Sequence, residues 1–215
     1  MLCYSGRVPR PRVHDPDRVL DAVESLAAAS GPAAVTIRAI GAAVGMSNGA
    51  VYHSYGSRAG LVGAAWLRAG RRFLDLQQEL VDDALSAPRG GAVDAVVAAA
   101  DAPVAFAERH PESAKLLLTI RRDDLLGDDL PTDIAARLAE LDTSLVELMI
   151  RLAVAVWDRK DANAVDTITT CIVDLPTAIV LGRERLGSPT ARHHLHAAVR
   201  AVLAVGPPPP KGHAA

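Results

Sequence analysis

The sequence predicts an all-α protein in which a compact bundle of three short helices feeds a larger helical domain. Apolar residues recur at helical spacing, as in Val19, Leu20, Val23, Leu26 and Ala27. Proline and glycine clusters punctuate the chain at intervals suited to helices, and no convincing strand or internal repeat interrupts them. Half of the 215 residues are hydrophobic but only 3% are aromatic, so the core is expected to consist of Ala, Val, Leu and Ile.

The elements follow in order. Asp15-Pro16-Asp17 reads as a helix start, with Asp15 as cap and Pro16 at the first helical position, and Ser30-Gly31-Pro32 ends that helix. Thr36 caps a second, short helix to Val44, where Gly45 supplies a left-handed turn. Ser47 caps a third to about Tyr55. Gly56-Ser57 closes it and opens a fourth, in which Leu61, Val62, Ala65 and Trp66 face inward. Beyond Leu85, helical segments are separated by Pro88 to Gly91, His110-Pro111, Gly127 to Pro131, Asp158 to Asp161 and Gly187 to Pro189. Asp161 and Ser188-Pro189 look like helix starts, and Pro176 should kink its helix or disturb one hydrogen bond. The expected division is a flexible basic arm (1–14), a helix-turn-helix unit (15–60), a helical domain (61–205) and a disordered tail (206–215).

Composition narrows the class further. No apolar run is read as reaching the roughly 18 residues of a membrane span, and the start carries Arg7, Arg10 and Arg12 rather than an apolar signal. A cytoplasmic protein without membrane contact is expected. Cys3 and Cys171 lack metal-ligand or redox spacing. The formal net charge of -2 divides unevenly. Residues 1–66 hold six Arg against four acids, a net of +2, and residues 67–215 hold seventeen Lys or Arg against twenty-one acids, a net of -4. From Ser25 to Leu74 there is no Asp or Glu, although Arg38, Arg58, Arg68, Arg71 and Arg72 are present. Such a stretch does not repel a polyanion.

Two short helices joined by a tight glycine turn are the helix-turn-helix plan. Ile40, Val44, Met46 and Val51 stand where crossing helices bury side chains, and Gly41 where their backbones approach. The segment Val35-Thr-Ile-Arg-Ala-Ile-Gly-Ala-Ala-Val-Gly-Met-Ser-Asn-Gly-Ala-Val-Tyr-His-Ser-Tyr-Gly-Ser-Arg-Ala-Gly-Leu61 resembles the N-terminal DNA-binding segment of the TetR family of bacterial transcriptional regulators. The likeness covers roughly residues 17–66, and Val51-Tyr52-His53-Ser54-Tyr55-Gly56-Ser57-Arg58 is its most diagnostic part. Ser54 departs from the usual His, Arg58 from the usual Lys, and Ala59-Gly60 from an acidic pair.

The resemblance implies that the third helix enters the major groove with its N-terminal residues at base edges. Asn48 is then the best base reader, since an amide pairs bidentately with adenine, and Arg38 can take guanine in the same way. Gly49 costs its helix roughly 1 kcal/mol against Ala, a cost that close backbone approach to DNA would explain. Thr36, Ser47, Tyr52, His53 and Arg58 are assigned to phosphates, which position the domain without specifying sequence. Ser54 either loses a backbone contact or makes it through a different phosphate oxygen. The leading arm is either a loose basic tail or a minor-groove contact.

Two motifs point elsewhere. Gly45-Met-Ser47-Asn-Gly49 fits the G-x-S-x-G nucleophile elbow, but an elbow needs a buried strand before the serine, and Thr36 to Val44 is helical in spacing. No catalytic residue is therefore assigned. His193 and His196 share a helical face without a carboxylate or cysteine nearby in sequence, which favours a polar face over a metal site. Neither a metal nor a cofactor is expected.

The last two helices carry apolar faces: Val165, Ile168, Ile172, Leu175 and Ile179 in one, Leu195, Val199, Val202 and Leu203 in the other. They complete a monomer core or, as the resemblance implies, pair with their symmetry mates in a homodimer that matches a palindromic double-stranded operator. In the middle segment, where the resemblance implies a ligand cavity, Phe106, Met149 and Trp157 are the large side chains available to line it. Aliphatic surroundings favour a mainly apolar small-molecule effector. The expected function is a sequence-specific DNA-binding regulator, a repressor released when that molecule binds. The alternative is an all-α small-molecule binding protein with a vestigial DNA-binding segment.

Overall fold

The computed structural model describes residues 15–121, 125 and 130–209, and all regular structure among them is helical. Helix α1 spans Pro16–Ser30, α2 Ile37–Val44, α3 Asn48–Tyr55, α4 Arg58–Ser86, α5 Ala92–Arg109 and α6 Pro111–Thr119. Then come α7 (Thr132–Trp157), α8 (Ala162–Thr169, with wider helical turns on to Leu181) and α9 (Pro189–Val205). The expected basic arm and most of the tail, residues 210–215, lie outside the described residues.

Local chemistry sets the first boundaries. Asp15 Oδ1 accepts from the Asp17 amide at 3.0 Å, Thr36 Oγ1 from Ala39 at 3.1 Å, Ser47 Oγ from Ala50 at 3.1 Å and Ser57 Oγ from Gly60 at 2.9 Å. Each satisfies an amide that the first helical turn would leave orphaned. Gly45 adopts φ 73°, ψ 30°, the left-handed conformation that ends α2. A Cβ at Gly41 would lie 2.8 Å from the Met46 carbonyl oxygen, so only glycine lets α3 cross α2 this closely.

Val19, Val23, Val35, Ile40 and Val51 form one buried cluster with Leu61, Val62 and Ala65 of α4 and with Leu116, Ile120 and Leu125 beyond α5. The three short helices therefore share their core with α4 and α6. Helix α4 also runs unbroken through residues 60 and 61, where the boundary between the two units was expected. A second cluster joins α5, α7, α8 and α9 through Val96, Leu152, Ile168, Cys171, Leu195 and Val199. Burial pushes the Cys171 thiol up to about 11, so it stays protonated and packs as a small apolar group.

A buried ion pair locks α1 to α4. Glu24 is 3% exposed, and its carboxylate accepts from Arg68 Nη2 at 2.7 Å and from the Ser113 hydroxyl of α6 at 2.5 Å. Arg68 also reaches Asp17 at 3.2 Å and Asp21 at 2.7 Å. Burial pulls the Arg68 guanidinium down, but its hydrogen bonds to and the charges of these carboxylates outweigh that and raise it.

Two expectations change, and the effect of Pro176 is decided between its alternatives. The stretch Ala162–Leu181 is long and apolar enough, by length and composition, to cross a membrane, with mean hydropathy 1.6. The run was missed because Asp166, Asp174 and several threonines interrupt its most apolar residues. Around Pro176 it is the hydrogen bonding that is disturbed, the second of the two expected outcomes: over Thr170–Asp174 and Thr177–Leu181 the helix widens into five-residue hydrogen-bonding turns. The start of the tail is also held: Arg159 donates to the Pro208 carbonyl and Asn163 to that of Pro209, both at 2.8 Å. Carbonyls that proline cannot turn into a helix remain free to accept these bonds.

Removing one partner of the Glu24–Arg68 pair leaves a buried charge. Arg68→Met is expected to cost about 3 kcal/mol of unfolding free energy, measured by urea titration. Adding Glu24→Gln, which keeps an acceptor for Ser113 without the charge, should recover part of that loss.

Candidate nucleic-acid interface

Helix α3 is pinned by one fully buried side chain, Val51, with Tyr55 half-buried beside it. Burial raises the Tyr55 phenol above its ordinary value, in keeping with a place in the small core. The opposite face presents Gly49, Tyr52 and His53 to solvent, and Asn48, Ser47, Thr36 and Arg38 are exposed at its margin. Tyr52 is 63% exposed, an uncovered aromatic on a helix that has every other means of burying one.

Each candidate keeps a distinct capability. Thr36 and Ser47 use an oxygen lone pair as helix caps, which leaves the hydroxyl proton available to a phosphate. Arg38 makes no ion pair among the described residues. The Asn48 Oδ1 lies back over α2, 3.1 Å from where a Gly41 Cβ would stand, so its amide must swing outward to meet a base edge. A Cβ at Gly49 would meet nothing within 4 Å: no packing inside the protein requires glycine there.

Two candidates are engaged internally. Arg58 Nε donates to the Val35 carbonyl at 2.6 Å and Nη2 to that of Pro32 at 2.5 Å. Its guanidinium therefore braces the link between α1 and α2, and a phosphate can reach only its remaining N–H groups. The Ser54 hydroxyl donates to the Ala50 carbonyl at 3.1 Å, which spends its proton inside the helix.

The acid-free stretch is less basic at the surface than its sequence suggests. Arg68 and Arg72 turn toward Glu24, and Arg71 toward Glu140 at 3.4 Å. Their carboxylate partners lie far away in sequence. Arg18, which carried no expectation, adds a cation beside Val44 and Met46 at the edge of the α2–α3 turn; nothing in the spacing of α1 singles it out.

The proposed effector residues do not converge. Phe106 lines an apolar cleft of about 170 Å³ with Phe73, Pro103, Leu117 and Leu118. Met149 is instead buried in the larger core and accepts from the Thr169 hydroxyl at 3.4 Å. Trp157 ends α7 near Gly206. All three are large and adaptable, and sequence cannot tell which helix face meets a cavity. On α9, His193 and His194 are exposed, whereas His196 Nε2 lies 2.8 Å from Asp101 Oδ1. Asp101 also holds Arg192, whose guanidinium is raised chiefly by that bond. The carboxylate missing near the histidines in sequence is thus supplied by α5, in an ion-pair cluster.

This geometry defines a helix-turn-helix protein that presents an acid-free recognition face on an all-α frame. Residues 19–65 match the family model described as bacterial regulatory proteins, tetR family. The whole chain is similar to solved structures. One is a bacterial regulatory protein in the tetR family from Rhodococcus RHA1, at 22% identity and TM-score 0.63, covering 90% of this chain and 98% of the other. A TetR-like transcriptional regulator from Rhodococcus sp. RHA1 shares 20% identity at TM-score 0.62, with 92% and 99% covered. The fatty acid degradation regulator FadR from Bacillus halodurans shares 13% at TM-score 0.57, with 89% and 97% covered. No match is found among curated proteins. Residues 19–65 are thus a DNA-binding segment of the tetR family type, and the chain as a whole shares the fold of these solved regulators.

The two glycines of the motif are expected to respond oppositely. Gly49→Ala should stabilise the protein by up to about 1 kcal/mol, as alanine favours helix. Gly41→Ala should destabilise it by about 1–3 kcal/mol, since the Met46 carbonyl must move. Thermal melts of the two variants check the sign of each.

Proposed function

We propose that the protein is a homodimeric, sequence-specific DNA-binding repressor whose operator affinity falls when a mainly apolar molecule occupies the cleft at Phe106. The observation that carries this reading is the outer face of α3. Asn48, Gly49, Tyr52 and His53 lie uncovered on a helix without a carboxylate, and Thr36, Ser47 and Arg38 flank them. Such a face suits a major groove: Asn48 and Arg38 address base edges, and the hydroxyls, Tyr52 and His53 address phosphates. Arg58 acts mainly as a brace that sets the approach of α2.

Two further observations support the finer parts. The side of α8 and α9 turned from the core exposes the small residues Ala162, Thr177, Ala178, Ala197, Ala201 and Ala204 among the charged Asp166, Asp174 and Arg200. Small residues of this kind allow close helix packing in a twofold dimer, and a twofold dimer fits a palindromic operator. The cleft at Phe106 is bordered by Ala114, Leu117 and Leu118 of α6. The same helix holds Glu24 through Ser113, and its Glu112 accepts from Ser25 of α1 at 2.7 Å. A molecule that fits only when α6 is displaced therefore weakens operator binding, and operator weakens its binding reciprocally.

The test is binding to the DNA upstream of the protein's own gene, against scrambled DNA, at two salt concentrations. Specific binding should survive competitor DNA and fall with salt in proportion to the phosphates contacted. Arg38→Ala should weaken it by about 1–3 kcal/mol with an unchanged melting temperature. No binding at either salt would contradict the proposal.

A further inference from the structure

Helix α5 contains Pro103. Proline lacks an N–H, so the carbonyl of Ala99, four residues earlier, loses its helical donor. Gln77 of α4 replaces it, with Nε2 donating to the Ala99 oxygen at 2.9 Å. That bond fixes the amide, because the flipped orientation would set two oxygens against each other. Gln77 is 1% exposed, and its Oε1 has no hydrogen-bond partner among the described residues.

This acceptor lies one helical turn from the apolar cleft. Phe73 stands one turn before Gln77 on the same face of α4, and Pro103 one turn after Ala99 on α5. Both Phe73 and Pro103 line the cleft, so the Gln77 amide stands one turn farther along both walls, while the His110 ring packs on Phe106 at 5.3 Å. Phe73 is half-buried and packs edge-on against Phe106, with ring centroids 5.5 Å apart; Gln77 does not itself line the cleft, and rotation of the Phe73 ring is the movement that access to Oε1 requires. The lining side chains include no ionisable group, and a cavity of about 150 Å³ with similar walls admits benzene.

We infer that the cleft takes a small neutral molecule with an apolar, ring-sized body and one hydrogen-bond donor, of the phenol or alcohol class, with Gln77 Oε1 as the acceptor. This rests on the reading of the cleft as the effector site. A carboxylate finds no lysine or arginine among the lining residues. A pure hydrocarbon fits the walls but leaves the amide oxygen unsatisfied, whereas a hydroxyl fills the space and donates the missing proton.

Two probes of similar shape separate these cases: 4-ethylphenol and ethylbenzene, titrated by calorimetry into the full-length protein. A purely apolar cleft prefers ethylbenzene, because burying an unpaired hydroxyl is unfavourable. The inference predicts the reverse order, with 4-ethylphenol tighter by about fivefold or more, and restoration of the ethylbenzene preference in Gln77→Leu. Should that variant not fold, the order on the wild-type protein decides alone. Equal or tighter binding of ethylbenzene to wild type, or binding of neither probe, overturns the inference. Operator affinity measured on the same samples reads the effector role separately. Ethylbenzene that binds tighter and releases DNA sinks donor recognition but keeps the effector cleft; 4-ethylphenol that binds first in order without releasing DNA does the opposite.

Discussion

The buried carboxylate of Glu24 is the constraint on which the arrangement depends. A charge that is 3% exposed must be neutralised and hydrogen-bonded where it lies, and its partners come from two other helices: Arg68 and Arg72 of α4 and Ser113 of α6. Apolar packing alone would let α1 rotate or slide against α4 at modest cost. The ion pair admits one register. Since α2 and α3 build their core on α1 and α4, that register also sets the angle at which α3 is presented.

This explains how one stretch of chain serves two purposes. Between Ser25 and Leu74 no carboxylate occurs, so nothing on α2 or α3 repels a phosphate. The arginines of α4 in the same stretch are engaged within the chain: Arg68 with Glu24, Asp17 and Asp21, Arg72 with Glu24, Arg71 with Glu140 at the surface, and Arg58 with backbone carbonyls. What remains at the surface is a face rich in hydroxyl, amide and aromatic groups, with Arg38, and Arg18 at its edge, making no ion pair among the described residues. A face of that kind depends more on fit to a groove than on bulk charge, which favours specific over nonspecific contact.

Much of α1 to α3 was legible because its determinants are local. Asp15, Thr36, Ser47 and Gly45 act within four residues of themselves, and sequence displays such relations directly. The contacts that were not legible are the long-range ones. Arg58 looks like a phosphate ligand until the fold brings the Pro32 and Val35 carbonyls to it. The partnership of Gln77 with Ala99 needs the register of α4 against α5, although Pro103 in a helical run signals that some carbonyl there lacks its donor. Phe106, Met149 and Trp157 were equivalent in sequence, and only packing divides them among a cleft, a core and a helix end.

The most direct measurement is amide hydrogen exchange across the chain, with and without the DNA upstream of its own gene. If the outer face of α3 is the reading surface, DNA should slow exchange in Thr36–Ala39 and Ser47–Ser54 and leave the exposed side of α8 and α9 unchanged. Protection confined to other elements, or none in α2 and α3 under conditions where the DNA is bound, would contradict the account.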